Sequence, residues 1–172
     1  MNRRSEQKGF GLMEVLLAVL LSALALSALL AVLFQGAARL RAAADRVSAA
    51  NAAENLVQSM IGNPQNVRGA RSFRHYIGQR PAVSCTGIPP DGITSEELAA
   101  FHLCRLQQEW VRPLHGAQTA FVVCYDDSGD FPEWQGGTPD FRCGGSATGS
   151  VAVKLVWKRG GEVSGHRLYV QE

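Results

Sequence analysis

A nearly continuous apolar run from Phe10 to Phe34 constrains the fold most, because a small globular domain cannot bury a segment of this length. Only Glu14 and a few small or hydroxyl-bearing residues interrupt it. About 20 apolar residues, each rising 1.5 Å along a helix, cross the hydrocarbon core of a bilayer. An ordinary signal peptide has a shorter apolar core of about 7–15 residues, and an acid inside that core would be misplaced. The run therefore predicts a helix that spans a membrane.

The charge balance indicates the orientation of that helix and excludes one class of partner. The 172-residue chain has 17 Lys and Arg against 15 Asp and Glu. Residues 1–9 contain Arg3, Arg4 and Lys8 against Glu6, and removing them leaves 14 bases and 14 acids. Cations before an apolar run favour a cytoplasmic N-terminus. The neutral remainder excludes a global basic field for nucleic acid, and the 46% apolar content excludes wholesale disorder.

The junction at the start of the run carries a specific motif. Residues 8–15 read K-G-F-G-L-M-E-V, with a short basic leader before them and an apolar helix after them. This motif resembles the processing site of type IV prepilins. The resemblance implies that prepilin peptidase cleaves after Gly9, that Phe10 becomes an N-methylated mature N-terminus, and that Glu14 acts in subunit assembly. A glycine before the scissile bond leaves the backbone open to the peptidase.

Glu14 has a physical role in this interpretation. Cleavage creates an amine at Phe10 in apolar surroundings, and the carboxylate of a neighbouring subunit is its natural counter-charge. Two unpaired buried charges are each costly, whereas a pair offsets much of that cost. The alternative is that Glu14 is a tolerated charge near the membrane interface.

The helix is expected to continue past the membrane. No proline and no cluster of breaking residues interrupts Phe10 to Ile61, after which Gly, Asn and Pro follow in succession. We therefore expect a leader at 1–9, a transmembrane or filament-core helix at 10–34, its amphipathic continuation at 35–61 and a periplasmic globular domain at 62–172. The apolar stripe of the continuation is predicted at Leu40, Ala43, Val47, Ala50, Ala53, Val57 and Met60.

The globular part is predicted to be α+β. Thr94 and Glu97 form a capping box before a helix that runs to about Trp110. Its buried side is predicted at Leu98, Phe101, Leu103, Cys104 and Leu106. Strand candidates are Thr119–Tyr125, Ser150–Lys158 and His166–Val170, with a hairpin near Gly160 and Gly161. A long helix packed on a small antiparallel sheet follows, and the pilin resemblance implies the same fold.

Four cysteines suggest disulfides in a region outside the cytoplasm. They are Cys85, Cys104, Cys124 and Cys143. Of the three possible connectivities we favour Cys85–Cys104 and Cys124–Cys143, because each pair closes a short loop. Pilins commonly staple a C-terminal loop, which supports the second pair by analogy. A zinc site is the alternative, but the Cys-x-x-Cys spacing typical of zinc is absent.

Two charged segments suggest that the chain could bind DNA or calcium. Residues 62–90 are expected to be an irregular connection in which cationic and aromatic residues are interleaved. This segment could contact single-stranded DNA, or it could be a solvated loop. Five acids follow Cys124, but the spacing of an EF-hand is not met, so we prefer a solvated acidic loop to a calcium site. The basic segment contains Arg68, Arg71, Phe73, Arg74, His75, Tyr76 and Arg80, and the acidic loop contains Asp126, Asp127, Asp130, Glu133 and Asp140.

No catalytic constellation accompanies these features, since the four histidines are scattered and no phosphate loop or nucleophile elbow occurs. We expect no cofactor and no bound metal. The expectation is a non-enzymatic minor pilin-like subunit in the inner membrane, most like the type IV pilus modification proteins. Its expected partners are the prepilin peptidase and N-methyltransferase, other minor and major pilins, and the membrane. The alternatives are a type II secretion pseudopilin and a DNA-binding competence pilin.

Overall fold

The computed structural model of the chain describes residues 11–63, 66–67, 70–71, 73–78, 94–111, 114, 116–144 and 149–170. The predicted leader at 1–9, which includes Gly9, lies outside these residues, as do Phe10 and Cys85. The chain divides into two compact units, Met1–Ala43 and Ala44–Glu172. The elements in chain order are α1 (Leu12–Ile61), β1 (Asn66–Val67), β2 (Ala70–Arg71), α2 (Ser95–Val111), β3 (Gln118–Asp126), β4 (Glu133–Gln135), β5 (Thr138–Asp140), β6 (Ser150–Arg159) and β7 (Glu162–Tyr169).

Helix α1 is a single helix of 50 residues, as the absence of proline predicts. It ends where Gly62 N donates to Gln58 O and Asn63 N donates to Met60 O, at 3.0 and 3.2 Å.

The buried face of α1 differs in part from the predicted stripe. Leu40, Ala43 and Val47 are exposed, whereas Asp45 is buried. Alanine occurs on every side of this segment, so spacing alone does not select a face. Asp45 lies on the buried face and makes a bidentate contact with Arg159, whose Nε lies 2.9 Å from Oδ2 and whose Nη2 lies 3.3 Å from Oδ1. The buried residues of α1 are Asp45, Ala49, Ala52, Ala53, Leu56, Val57 and Met60.

Helix α2 begins with the predicted capping box. Thr94 N donates to Glu97 Oε2 at 2.9 Å, and Glu97 N donates back to Thr94 Oγ1 at 3.2 Å. Hydrogen bonds from the Thr94 backbone and side chain lower the pKa of Glu97. The predicted buried side is wrong at Leu98 and Phe101, which are half-buried. In the first turns of the helix, Ala99 faces the core instead. The buried residues of α2 are Ala99, Leu103, Cys104, Leu106 and Trp110.

The main sheet has three antiparallel strands in the order β3-β6-β7. All three strands were predicted, although β7 begins at Glu162 rather than His166. The turn between β6 and β7 consists of Gly160 and Gly161 with φ values of 57° and 89°, which is the left-handed geometry that a two-residue hairpin requires. The short hairpin of β4 and β5 was not predicted.

Both faces of this sheet are covered, so residues 152–157 of β6 are all buried. On one face, Val153, Leu155 and Trp157 pack in a core with α1 and α2. The other face meets the chain segment between β3 and β6. A Cβ placed on Gly165 would lie only 2.7 Å from the carbonyl oxygen of Pro132, which shows how closely this segment approaches the sheet. The unit from Ala44 onward is therefore an α+β domain with a loop as its third layer.

Candidate functional site

The first candidate is the apolar part of α1. Every residue from Leu12 to Phe34 is exposed, including Glu14. Within the described residues, α1 is the one helix that is long and apolar enough to cross a membrane, judged by length and composition alone. The predicted cleavage residues Gly9 and Phe10 lie outside the described residues, so the site has one described member, Glu14, in the first turn of the helix.

The second candidate is the disulfide loop, which we define as residues 124–143. A disulfide joins Cys124 to Cys143 across a Cα–Cα distance of 6.1 Å, which is the second pair favoured from the sequence. Cys104 is also disulfide-bonded. Its expected partner, Cys85, lies outside the described residues. The loop contains the β4–β5 hairpin, with exposed glycines at its turn.

A buried lysine anchors the disulfide loop. The side chains of Lys154 and Asp126 are both 0% exposed, and Lys154 Nζ lies 3.0 Å from Asp126 Oδ2. The same Nζ donates to the carbonyl oxygens of Asp130 at 3.0 Å and Arg142 at 2.9 Å. Three acceptors therefore surround the ammonium group, which matches its three protons. Lys154 therefore contacts three separate points of the disulfide loop.

The carboxylate of Asp126 is held in its charged form. Burial alone would raise its pKa, but hydrogen bonds from Ser128, Lys154 and Tyr169 and the positive charge of Lys154 lower the pKa of Asp126 well below its usual range. Ser128 Oγ and Tyr169 OH donate to it at 2.7 and 2.8 Å. Burial and the adjacent Asp126 carboxylate raise the pKa of Tyr169.

The expectation of a solvated acidic loop is wrong for part of that loop. Asp126 is buried, and Glu133 and Asp140 form ion pairs with Arg142 at 2.5 and 3.8 Å. These acids satisfy charges of the protein itself. In the described part of the chain, no group of three or more His, Cys, Asp or Glu is arranged to hold a metal ion.

The proposed DNA-binding segment is only partly described, and its aromatic residues are not available for stacking. Phe73 is 7% exposed and Tyr76 is 2% exposed, so both belong to the core. Arg74 is exposed, and its Nε donates to His75 Nε2 at 3.3 Å. Arg68 and Arg80 lie outside the described residues.

Tyr76 instead belongs to a polar network between the end of α1 and the start of α2. Asn63 Nδ2 donates to Tyr76 OH and to the Ser95 carbonyl, each at 3.0 Å, and Ser95 Oγ donates to Asn63 Oδ1 at 2.7 Å. Tyr76 OH lies 2.8 Å from His102 Nδ1. Because the phenol accepts from Asn63, its proton is free to bond His102, and burial together with the Arg105 charge lowers the pKa of this histidine.

Sequence reasoning missed Lys154, although a pattern for it exists. The stretch V-A-V-K-L-V-W at 151–157 contains one cation in an otherwise apolar strand. Continuous apolar runs are typical of strands covered on both faces. A lone lysine inside such a run therefore indicates a buried and paired cation, and Asp126 lies at the end of the adjacent strand.

We compared the chain with protein-family models, with curated proteins and with solved structures, and none of them matches it.

Proposed function

We propose that this protein is a minor pilin-like subunit that prepilin peptidase cleaves after Gly9 and that takes part in the assembly of type IV pili. The peptidase also methylates the new N-terminus at Phe10. The subunit is held in the inner membrane by the apolar part of α1, and its globular unit lies in the periplasm. Its partners are other minor and major pilins, and its role is to prime or modify the filament.

The observation that carries this proposal is the coincidence of the K-G-F-G-L-M-E-V junction with the helix that directly follows it. The residues from Leu12 to Phe34 are all exposed and almost all apolar, which a soluble protein rarely tolerates over such an area. Lipid, or the helices of neighbouring subunits, would cover this surface. An α+β unit stapled by a disulfide is also consistent with a domain that works outside the cytoplasm.

N-terminal sequencing and intact-mass measurement of the membrane-extracted protein test the proposal. We expect a mature chain that starts at Phe10 and carries one added methyl group. Replacing Gly9 with Val should trap the full precursor, because a side chain obstructs the scissile peptide. Replacing Gly11 with Ala is the matched control, since no atom lies within 4 Å of a Cβ placed there. Full-length wild-type protein, or normal cleavage of Gly9→Val, would contradict the proposal.

Deleting the protein and then assaying both pili and protein secretion identifies the filament in which the subunit works. Loss of pili with intact protein secretion supports the pilus role. Loss of secretion with normal pili would instead assign the subunit to a type II secretion pseudopilus.

A further inference from the structure

Lys154 contacts the chain beside both cysteines of the disulfide loop. Its ammonium group lies 3.0 Å from the carboxylate of Asp126, two residues after Cys124, and 2.9 Å from the carbonyl oxygen of Arg142, the residue before Cys143. One side chain therefore joins the two ends of the loop without using the sulfur atoms.

The link between the loop ends is rigid because its centre is buried and saturated. Lys154 and Asp126 are both fully buried, and Lys154 Nζ has three acceptors. Ser128 reinforces the link, since its Oγ lies 2.7 Å from Asp126 Oδ1 and 3.1 Å from the Arg142 carbonyl oxygen. Removing either Lys154 or Asp126 leaves the other as a buried charge without its partner, which is strongly unfavourable.

We propose that Lys154 is a positioning residue for the Cys124–Cys143 disulfide. The lysine brings the two thiols together in the folded domain before they are oxidised, and so raises the effective concentration of one thiol at the other. The disulfide in turn keeps the carbonyl oxygens of Asp130 and Arg142 at the ammonium group. Formation of the covalent bond and satisfaction of the buried charge are then coupled, and the coupling is reciprocal.

The chemistry is two thiol–disulfide exchanges with a small disulfide oxidant such as glutathione disulfide. One cysteine thiolate attacks a glutathione sulfur, which forms a mixed disulfide and releases one glutathione thiolate. The second cysteine thiolate attacks the protein sulfur of that mixed disulfide and releases the second glutathione. Two electrons pass from the cysteines to the oxidant, and the two cysteine protons go to solvent or to the released thiolates. Lys154 accelerates and favours the second step, because that step depends on how closely the two cysteines are held.

The test measures the equilibrium of this disulfide in the full chain in detergent micelles. The protein is equilibrated in glutathione buffers of stepped ratio, alkylated and analysed by peptide mass spectrometry, so that Cys124 and Cys143 are read separately from Cys104. We expect Lys154→Met to lower the equilibrium constant for Cys124–Cys143 at least tenfold, which equals about 30 mV for a two-electron couple. The disulfide of Cys104 should shift less than twofold in the same molecules.

Two further variants separate positioning from general stability. Leu155→Ala removes a fully buried side chain from the opposite face of the same strand, and it should change the Cys124–Cys143 equilibrium less than twofold while the protein stays folded. Asp126→Asn weakens the link but retains a carbonyl acceptor, so it gives the readout if Lys154→Met does not fold. For Asp126→Asn, a decrease of at least threefold in the equilibrium constant of the Cys124–Cys143 disulfide, without a matching change at the disulfide of Cys104, supports the proposal. An unchanged equilibrium in the folded variants, or equal shifts at both disulfides or in Leu155→Ala, would overturn it.

Discussion

Removing the charge of Asp126 should destabilise the domain more than removing any other acid of the disulfide loop. The pair of Asp126 and Lys154 is completely buried, with a separation of 3.0 Å. Asp126→Asn keeps the shape of the side chain but leaves the lysine ammonium group without a counter-charge. Breaking a buried ion pair from one side costs about 3–5 kcal/mol. Because the Asn carbonyl can still accept one hydrogen bond, we expect a loss near 3 kcal/mol in the free energy of unfolding.

Urea unfolding of the full chain in micelles, followed by tryptophan fluorescence, measures this loss. Trp110 and Trp157 are suitable reporters, since both are buried and their rings meet edge to face at 6.3 Å. Asp130→Asn is the matched control, because this exposed acid contacts Lys154 through its backbone carbonyl alone. The control should stay within about 0.5 kcal/mol of the parent, as surface substitutions usually do. A loss below about 1 kcal/mol for Asp126→Asn would refute the reasoning from burial.

Two other predictions concern pH and membrane assembly. The pKa of Asp126 is lower in the folded state than in the unfolded state, so the unfolded state binds a proton more readily. The charged carboxylate therefore stabilises the fold above the ordinary aspartate pKa of about 3.9. This stabilisation is lost as the pH falls below that value. The acid unfolding curve of Asp126→Asn should therefore be flatter than that of the parent in this range, and parallel curves would contradict the assignment. If the proposed function holds, Glu14→Ala should leave membrane insertion and cleavage intact but reduce crosslinking of the mature protein to other pilins, because the proposed pairing with the Phe10 amine of a neighbouring subunit is lost. A variant that crosslinks and supports piliation as well as the parent would identify Glu14 as a tolerated interfacial charge.

Local patterns predicted the elements of this fold well. Three local signals were correct: the capping box at Thr94, the breaker sequence after Ile61 and the glycine pair after β6. Each depends only on residues a few positions apart, so the sequence alone is enough to identify it. The disulfide between Cys124 and Cys143 also followed from loop length and an analogy.

Features that depend on distant contacts were not predictable in the same way. The buried face of α1 includes Asp45, whose partner Arg159 lies 114 positions away in the sequence. The burial of Lys154 depends on a loop that covers the second face of the sheet; the continuous apolar run around Lys154 indicates that the strand is covered on both faces, but it does not identify the segment that covers it. The sequence predicts Asp126 as a loop acid, because strand pairing places it opposite Ser150 and its contact with Lys154 arises only from the folded side chains.

The disulfide loop also offers a practical route to following the protein in cells. Its hairpin turn, Gly136 and Gly137, is exposed, and no atom lies within 4 Å of a Cβ placed on either glycine. The free-energy cost of a longer loop grows only slowly with length, and exposed turns tolerate insertions best. A short epitope or dye-labelled peptide inserted between these glycines would project from a base fixed by the Cys124–Cys143 bond and by Lys154. The loop therefore offers an attachment point on the folded domain that leaves the buried core of this unit unchanged.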